Sequence, residues 1–225
     1  PVHIPPILPD PIARQIPAED FAALISRAEA FAQRRFGPIL PNIGVAFFQG
    51  RTQAEVRDEG LQAAFRAYCL YGFRDPQGIR IIDMFAAAGI PPKGEIARAL
   101  TAARQARFCF FEVLERNPRT KQLRVSNWTT DAEAPANECD VLDTRSYDHL
   151  ELGDVMAGWY APVGGLWRPL GTITLVKKTR AALLRAGLEV LQKSQSQSVD
   201  DFSQRGAMPL FWLAYRIANV VEPEA

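Results

Sequence analysis

The densest group of potential metal ligands in the sequence comprises Cys139, Asp140, Asp143, Asp148 and His149, which fall within eleven residues. A zinc site typically needs three or four converging ligands, usually from Cys-x-x-Cys or His-x-x-x-His spacings. The group contains neither spacing, so the sequence predicts a polar loop, with Cys139 as a small buried residue. We therefore predict no metal and no other cofactor.

Nucleophilic catalysis would need a base, and the chain has two histidines, His3 and His149. A pair formed by His149 with Cys139 or Cys109 is conceivable, but no local pattern marks an activated thiol. The glycine-rich phosphate-binding motifs do not occur. The sequence predicts no catalytic residue and favours a protein that is not an enzyme. An enzyme without a recognisable motif is a further alternative.

A basic cluster on one predicted hairpin is the main sign of a nucleic-acid surface. It consists of Arg116, Arg119, Lys121 and Arg124, with Trp128 close by. Small barrels bind single strands with basic grooves and stacking aromatic rings. Acidic residues in the same stretch and a net charge of +1 favour instead an ordinary mixed-sign surface. Nucleic-acid binding through this hairpin is therefore an alternative interpretation.

The segment 210–221 is strongly apolar, and such a helix is buried either in its own chain or against a neighbour. It is too short for a bilayer, which takes about 20 residues to cross. The proline-rich arm, residues 1–17, interleaves Ile and Leu with its prolines and is a second candidate contact surface. The candidate interface residues on the helix are Leu210, Phe211, Trp212, Leu213, Tyr215 and Ile217.

A predicted α+β fold positions these candidates. Residues 18–106 are expected to form a helical layer, because apolar residues recur at three- and four-residue steps. Thr52 and Glu55 match a capping box, which predicts a helix start. Residues 39–50 show no such pattern, and we expect a loop there.

The character of the chain changes at Arg107. Short segments rich in aromatic and β-branched residues alternate with turn signals over 107–176, among them Gly164-Gly165. This pattern predicts five strands closed into a small SH3-like or OB-like barrel, the last strand running from Trp167 to Val176. Two helices are predicted over 177–221, with Pro209 interrupting the second.

Composition bounds the class of protein. The chain has 225 residues with 48% apolar and 23% charged residues, which is typical of one large or two small globular domains. Three widely spaced cysteines are not a disulfide framework and indicate a reducing compartment. With no signal-peptide pattern, the expected location is the cytoplasm. Residues 222–225 are identical to a common affinity tag and carry no structural weight.

Two passages, 65–78 and 107–115, resemble a group of uncharacterised bacterial proteins that often carry a C-terminal SEC-C zinc motif. The first has an aromatic-rich helix followed by Arg74-Asp75-Pro76-Gln77-Gly78. The second is followed at a distance by 152–154 and 162–167. The resemblance covers about residues 61–176 and implies a helical-plus-barrel architecture. The zinc motif is absent from this sequence, so the resemblance implies no zinc, and it brings no function.

The leading interpretation is a non-enzymatic binding or assembly subunit of a bacterial cytoplasmic complex. Its barrel and its apolar C-terminal helix would be the contact surfaces, with a protein partner or a second copy of the chain as the occupant.

Overall fold

The computed structural model describes residues 14–89, 92–130, 135–195 and 207–219. Helices come first, six strands follow, and two helices end the described chain. The predicted α+β class is confirmed, with an N-terminal helical layer, a closed five-stranded barrel and two C-terminal helices. Most of the predicted proline-rich arm and the tag-like residues 222–225 lie outside the described residues.

Six helices and one π-helical turn form the N-terminal layer. Thr52 and Glu55 make the predicted capping box, because the Glu55 amide donates to Thr52 Oγ1 at 3.2 Å and the Thr52 amide donates to Glu55 Oε2 at 2.8 Å. The elements are α1 (Ala18–Phe36), α2 (Leu40–Phe47), α3 (Gln53–Arg57), α4 (Glu59–Ala67), the π-turn (Tyr68–Gly72), α5 (Ile81–Ala87) and α6 (Gly94–Ala103).

The expectation of a loop over 39–50 is wrong for Leu40–Phe47, which forms α2. Its local signal is weak because eight residues include a proline and a glycine. Pro41 is tolerated in the first turn, where the missing amide has no helical acceptor. Ile43 and Phe47 are buried on one face of α2, so tertiary packing stabilises the helix.

The barrel closes through the strand order β1-β2-β3-β5-β4, with β4 pairing back to β1. The pair β3–β5 is parallel and the others are antiparallel. This Greek-key order corresponds to the OB-like alternative. The strands are β1 (Arg107–Asn117), β2 (Gln122–Asn127), β3 (Glu138–Leu142), β4 (Val155–Val163), β5 (Leu166–Pro169) and β6 (Thr174–Val176).

The last predicted strand is divided in two. β5 pairs with the end of β4, and β6 pairs with its beginning. Pro169 has no amide to donate, and Gly171 has a φ of 136°, so the chain leaves the sheet between them. The predicted Gly164-Gly165 hairpin is confirmed, since both glycines have positive φ and join β4 to β5.

Both faces of β1 are buried, which explains its uninterrupted apolar sequence. Phe108 and Phe110 pack toward the helices. Cys109, Phe111 and Val113 belong to the cluster that also contains Leu123, Val125 and Val141 and fills the barrel. The barrel therefore has a packed interior and an outer face covered by the helical layer.

Two helices follow the barrel, α7 (Ala181–Gln195) and α8 (Ala207–Ala218). Pro209 was expected to interrupt the last helix, but it lies in the first turn of α8, where proline is tolerated. Asp154 at the start of β4 is fully buried and accepts from the Lys178 amide at 2.9 Å and from Lys177 Nζ at 2.9 Å. These bonds fix the chain between β6 and α7 to the barrel.

Candidate functional site

Three of the four cations of the predicted nucleic-acid hairpin, Arg116, Lys121 and Arg124, are engaged by neighbouring side chains. Arg116 and Lys121 both lie over the ring of Tyr147, at 4.6 and 4.7 Å from its centroid. Lys121 Nζ also contacts Asp148 Oδ1 at 2.6 Å, and this contact lowers the pKa of Asp148. The structure therefore brings these two cations together around an aromatic ring and a carboxylate.

The other three residues of that prediction lie apart from one another. Arg124 is paired with Glu138 at 3.2 Å and Asp140 at 3.3 Å. Arg119 is exposed in the turn between β1 and β2. Trp128 is half-buried beside the helices, where Arg185 stacks on its ring at 4.2 Å and its Nε1 donates to Glu112 at 3.0 Å. Binding of nucleic acid through this hairpin stays a prediction.

The apolar C-terminal helix is packed inside its own chain. Leu210 is fully buried, and Ile217 is nearly so, in the cluster shared by the helices and the barrel. Trp212 is buried against α2, and its Nε1 donates to the Phe47 carbonyl at 2.9 Å. Phe211, Leu213 and Tyr215 are partly buried against these same clusters. Most of the apolar surface that suggested an interface is therefore already covered.

A wide open apolar surface lies elsewhere, in a groove between α1, α2, α4 and the π-turn. Its volume is about 1090 Å³. We call it the helical groove and define it by the residues that line it from three sides: Ala30, Gln33, Leu40, Gly44, Val45 and Phe65. Val45 on its rim is 73% exposed, which is the highest exposure among the large apolar side chains described. Contiguous exposed apolar patches are typical of interaction sites, which makes the groove a candidate.

The α8 helix supports the helical groove from below. Phe47 on the buried face of α2 stacks on Phe211, with ring centroids 5.4 Å apart, and packs against Trp212 at 5.2 Å. Phe48 contacts both Phe65 and Trp212. Two of the predicted interface residues therefore hold the wall of the groove in place.

Cys69 and Cys139 lack the low thiol pKa of an activated nucleophile. Burial raises the pKa of both Cys69 and Cys139 to about 12. A catalytic thiol needs the opposite change, toward the thiolate. Within the described part of the chain, no three Cys, His, Asp or Glu side chains lie close enough to hold a metal ion.

The protein therefore belongs to a structural class in which a helical layer packs on a closed OB-like barrel. A wide apolar groove lies in the helical layer. No protein-family model, curated protein or solved structure matches the chain. None of the described helices is long and apolar enough to cross a membrane. The resemblance to the SEC-C group stays a prediction.

Sequence reasoning missed the helical groove because no single segment carries it. Its lining comes from helices that each look like ordinary amphipathic helices, and α2 has almost no local helical signal. The usable signal was the apolar run Val45-Ala46-Phe47-Phe48, which has more apolar residues than one buried face needs.

Proposed function

We propose that the protein is a non-enzymatic binding subunit that holds an amphipathic helix of a partner protein in the helical groove. The observation that carries the proposal is an open apolar groove with Val45 exposed on its rim. This is the leading function expected from the sequence, with the contact surface moved from α8 to the helical layer.

The shape of the groove supports a helix as its occupant. An α-helix with its side chains is about 10 Å across and rises about 1.5 Å per residue. A volume of about 1090 Å³ thus corresponds to about nine helical residues, or two and a half turns. Helices already form three sides, so a partner helix would complete a bundle-like arrangement.

The chemistry of the rim defines the partner helix further. The polar side chains Ser26, Gln33, Gln49 and Gln62 at the groove are neutral. The charged residues among its lining are Glu29 and Arg66, which pair with each other at 3.6 Å. We therefore expect a partner segment with apolar residues at positions i, i+3 or i+4, and i+7, flanked by polar residues of no particular sign.

Site-specific photo-crosslinking in cells of the source organism tests the proposal. A benzophenone amino acid replaces Val45 in one strain and Val190 in a control strain. Val190 is also an exposed valine on a helix, at 66%, but it lies on α7. We expect a discrete adduct at position 45 and none at position 190, and mass spectrometry should map the captured peptide to an amphipathic helical segment of another protein.

A groove-filling variant sharpens this test. A Cβ built on Gly44 meets only the ring edge of Phe65, at 3.5 Å, so Gly44→Leu can extend into the groove without a backbone clash. The substitution also raises helix propensity, so the variant should stay folded. It should abolish the adduct at position 45. An adduct that persists in Gly44→Leu, or one formed with a second copy of this chain, would overturn the proposal.

We propose a reducing compartment, the cytoplasm, as the location. Cys69, Cys109 and Cys139 are all free thiols, and two of them are buried. This supports the proposal because paired cysteines are the usual state in oxidising compartments.

A further inference from the structure

A second pocket, independent of the helical groove, lies where the helical layer meets the barrel. It has a volume of about 550 Å³ and is lined mainly by polar and charged side chains. We call it the arginine pocket and define it by Arg74, Arg80, Asp83, Arg104, Arg107 and Trp167. The lining contains four guanidinium groups and one carboxylate.

Asp83 organises two of the arginines. Arg80 Nε donates to Asp83 Oδ2 at 2.8 Å, and Arg104 Nε donates to Asp83 Oδ1 at 3.0 Å. Burial alone would raise the pKa of Asp83, but the two donors outweigh it, and the net effect is a lowered pKa. The carboxylate is therefore ionised at neutral pH, and it holds both guanidinium groups in place.

Backbone contacts fix the pocket further. Arg80 also donates to the carbonyls of Ala106 and Arg104, just before β1 begins. Arg74 donates from Nη1 to the Gly78 carbonyl at 2.9 Å, across the tight turn between the π-turn and α5. Asp75 Oδ1 accepts from the amides of Gln77 and Ile79, which orders the same turn. Such prior ordering reduces the entropy lost when an anion binds.

Trp167 connects the arginine pocket to a smaller polar cavity on the barrel. That cavity, of about 190 Å³, shares Trp167 and Arg107 with the arginine pocket. Its lining includes the amide and hydroxyl side chains of Asn127, Thr129 and Asn137. Among the described residues, Asn137 Oδ1 is buried and has no hydrogen-bond partner. The same lining contains the carboxylate of Glu138, which is paired with Arg124 at 3.2 Å. The ring of Trp167 therefore lies between a group of cations and a set of hydrogen-bonding groups.

We propose that this continuous site binds a nucleoside phosphate unit. The phosphate lies among the guanidinium groups of the arginine pocket, which match its oxygens with paired N–H donors. The base stacks on Trp167, and the amides and hydroxyls of the smaller cavity contact its edge. A carboxylate or an inorganic anion would use the arginines alone, whereas a nucleotide uses all three kinds of group.

Two kinds of ligand contain a nucleoside phosphate unit, a free nucleotide and a single-stranded nucleic acid, and the binding experiment distinguishes them. Binding is measured by fluorescence anisotropy with labelled oligothymidylate about eight nucleotides long, and by competition with thymidine triphosphate. The chain has four tryptophans, so the part of the fluorescence quenching that Trp167→Leu removes is the part that reports stacking on Trp167. Polyglutamate of matched charge is the control probe, because it supplies anions without bases.

Two variants with a matched control test the assignment. Arg104→Gln removes one cation from the pocket, and its side chain is 54% exposed, so the fold should not depend on it. Arg34→Gln removes one exposed cation from the last turn of α1, outside the pocket and outside the basic hairpin. We expect Arg104→Gln to weaken oligonucleotide binding about tenfold and to reduce the salt slope by about 0.7, with little change for Arg34→Gln.

The second pocket variant, Trp167→Leu, should remove this part of the quenching and weaken binding about tenfold. Tighter binding of the oligonucleotide than of the triphosphate identifies a strand as the source, and equal or weaker binding identifies a free nucleotide. The proposal is overturned if neither probe binds at low salt, if polyglutamate binds as well as the oligonucleotide, or if the two arginine variants behave alike.

Discussion

Two apolar surfaces of the described chain differ in how far the protein covers them. Helix α8 carries Leu210, Trp212 and Ile217, and its own chain covers all three. The helical groove is lined by α2, which is also strongly apolar, and by the more polar α1 and α4, yet it leaves Val45 73% exposed. The apolar content of a segment therefore does not decide whether it is covered, and the open groove arises where helices meet without filling the space between them.

The comparison also shows that the two surfaces depend on each other. Helix α8 supports α2 through the stacking of Phe211 on Phe47 and through the hydrogen bond from Trp212. The covered helix therefore shapes the open groove, and damage to α8 should appear both in stability and in the groove.

We expect the largest difference in the free energy of unfolding between a substitution on the covered helix α8 and one in the open groove. Leu210→Ala should lower the free energy of unfolding by about 2–5 kcal/mol, because it leaves a cavity in a fully buried cluster. Val45→Ala should change it by less than about 0.5 kcal/mol. Urea denaturation followed by circular dichroism measures both. A comparable cost at Val45 would mean that the groove is closed in solution.

The hydrogen bonds of Asp154, which fix the chain between β6 and α7 to the barrel, should have the next largest effect on stability. Asp154→Asn should lower the free energy of unfolding by about 2 kcal/mol at neutral pH, because it weakens charge-assisted bonds to a fully buried carboxylate. Burial raises the pKa of Asp154, but the bonds from Glu151, Lys177 and Lys178 outweigh it and lower the pKa in the folded state.

The lowered pKa of Asp154 determines how the stability difference between wild type and this variant depends on pH. A lowered pKa stabilises the fold above the pKa of the unfolded carboxyl, about 4, and the stabilisation is lost as the pH falls through the folded value. The difference between wild type and Asp154→Asn should therefore be constant near neutral pH and shrink below about pH 4. Asp140→Asn, which affects a half-exposed ion pair, is the control and should show little difference at any pH.

Removing the hydrogen bond between α8 and α2 should have a smaller effect on stability. Trp212→Phe keeps an aromatic ring but leaves the buried Phe47 carbonyl without its donor, and this should cost about 1–2 kcal/mol. Thermal denaturation measures the cost, and crosslinking at position 45 should become weaker in the same variant. Unchanged crosslinking would show that the groove does not depend on this hydrogen bond.

Two glycine substitutions should have the smallest effects on the free energy of unfolding, and they test how closely the helices pack at each surface. Gly44→Ala should raise the free energy of unfolding by about 0.5–1 kcal/mol, because helix propensity improves and the new Cβ meets only the edge of Phe65. Gly187→Ala in α7 should give no such gain, because its Cβ would lie 2.6 Å from Leu213 Cδ1 on α8 and must displace that side chain, which offsets the better helix propensity. Equal gains at both sites would show that α7 and α8 are packed less closely than described.

The sequence by itself determined the elements that have a strong local cause. The capping box of Thr52 and Glu55, the Gly164-Gly165 hairpin and the doubly buried β1 each follow from interactions within or beside one segment. Together they define the α+β class and the barrel. The split of the last strand at Pro169 was also visible in principle, because proline cannot donate to a ladder.

Only the tertiary structure decided where the candidate surfaces lie. The apolar pattern of α8 shows that the helix is buried, but not whether its own chain or a partner covers it, because both environments exclude water equally. The arginine pocket unites Arg74, Arg80, Arg104 and Arg107, which are spread over the sequence and show no local cluster. The groove needs three helices at fixed distances, and such distances arise from packing between segments that no local pattern encodes.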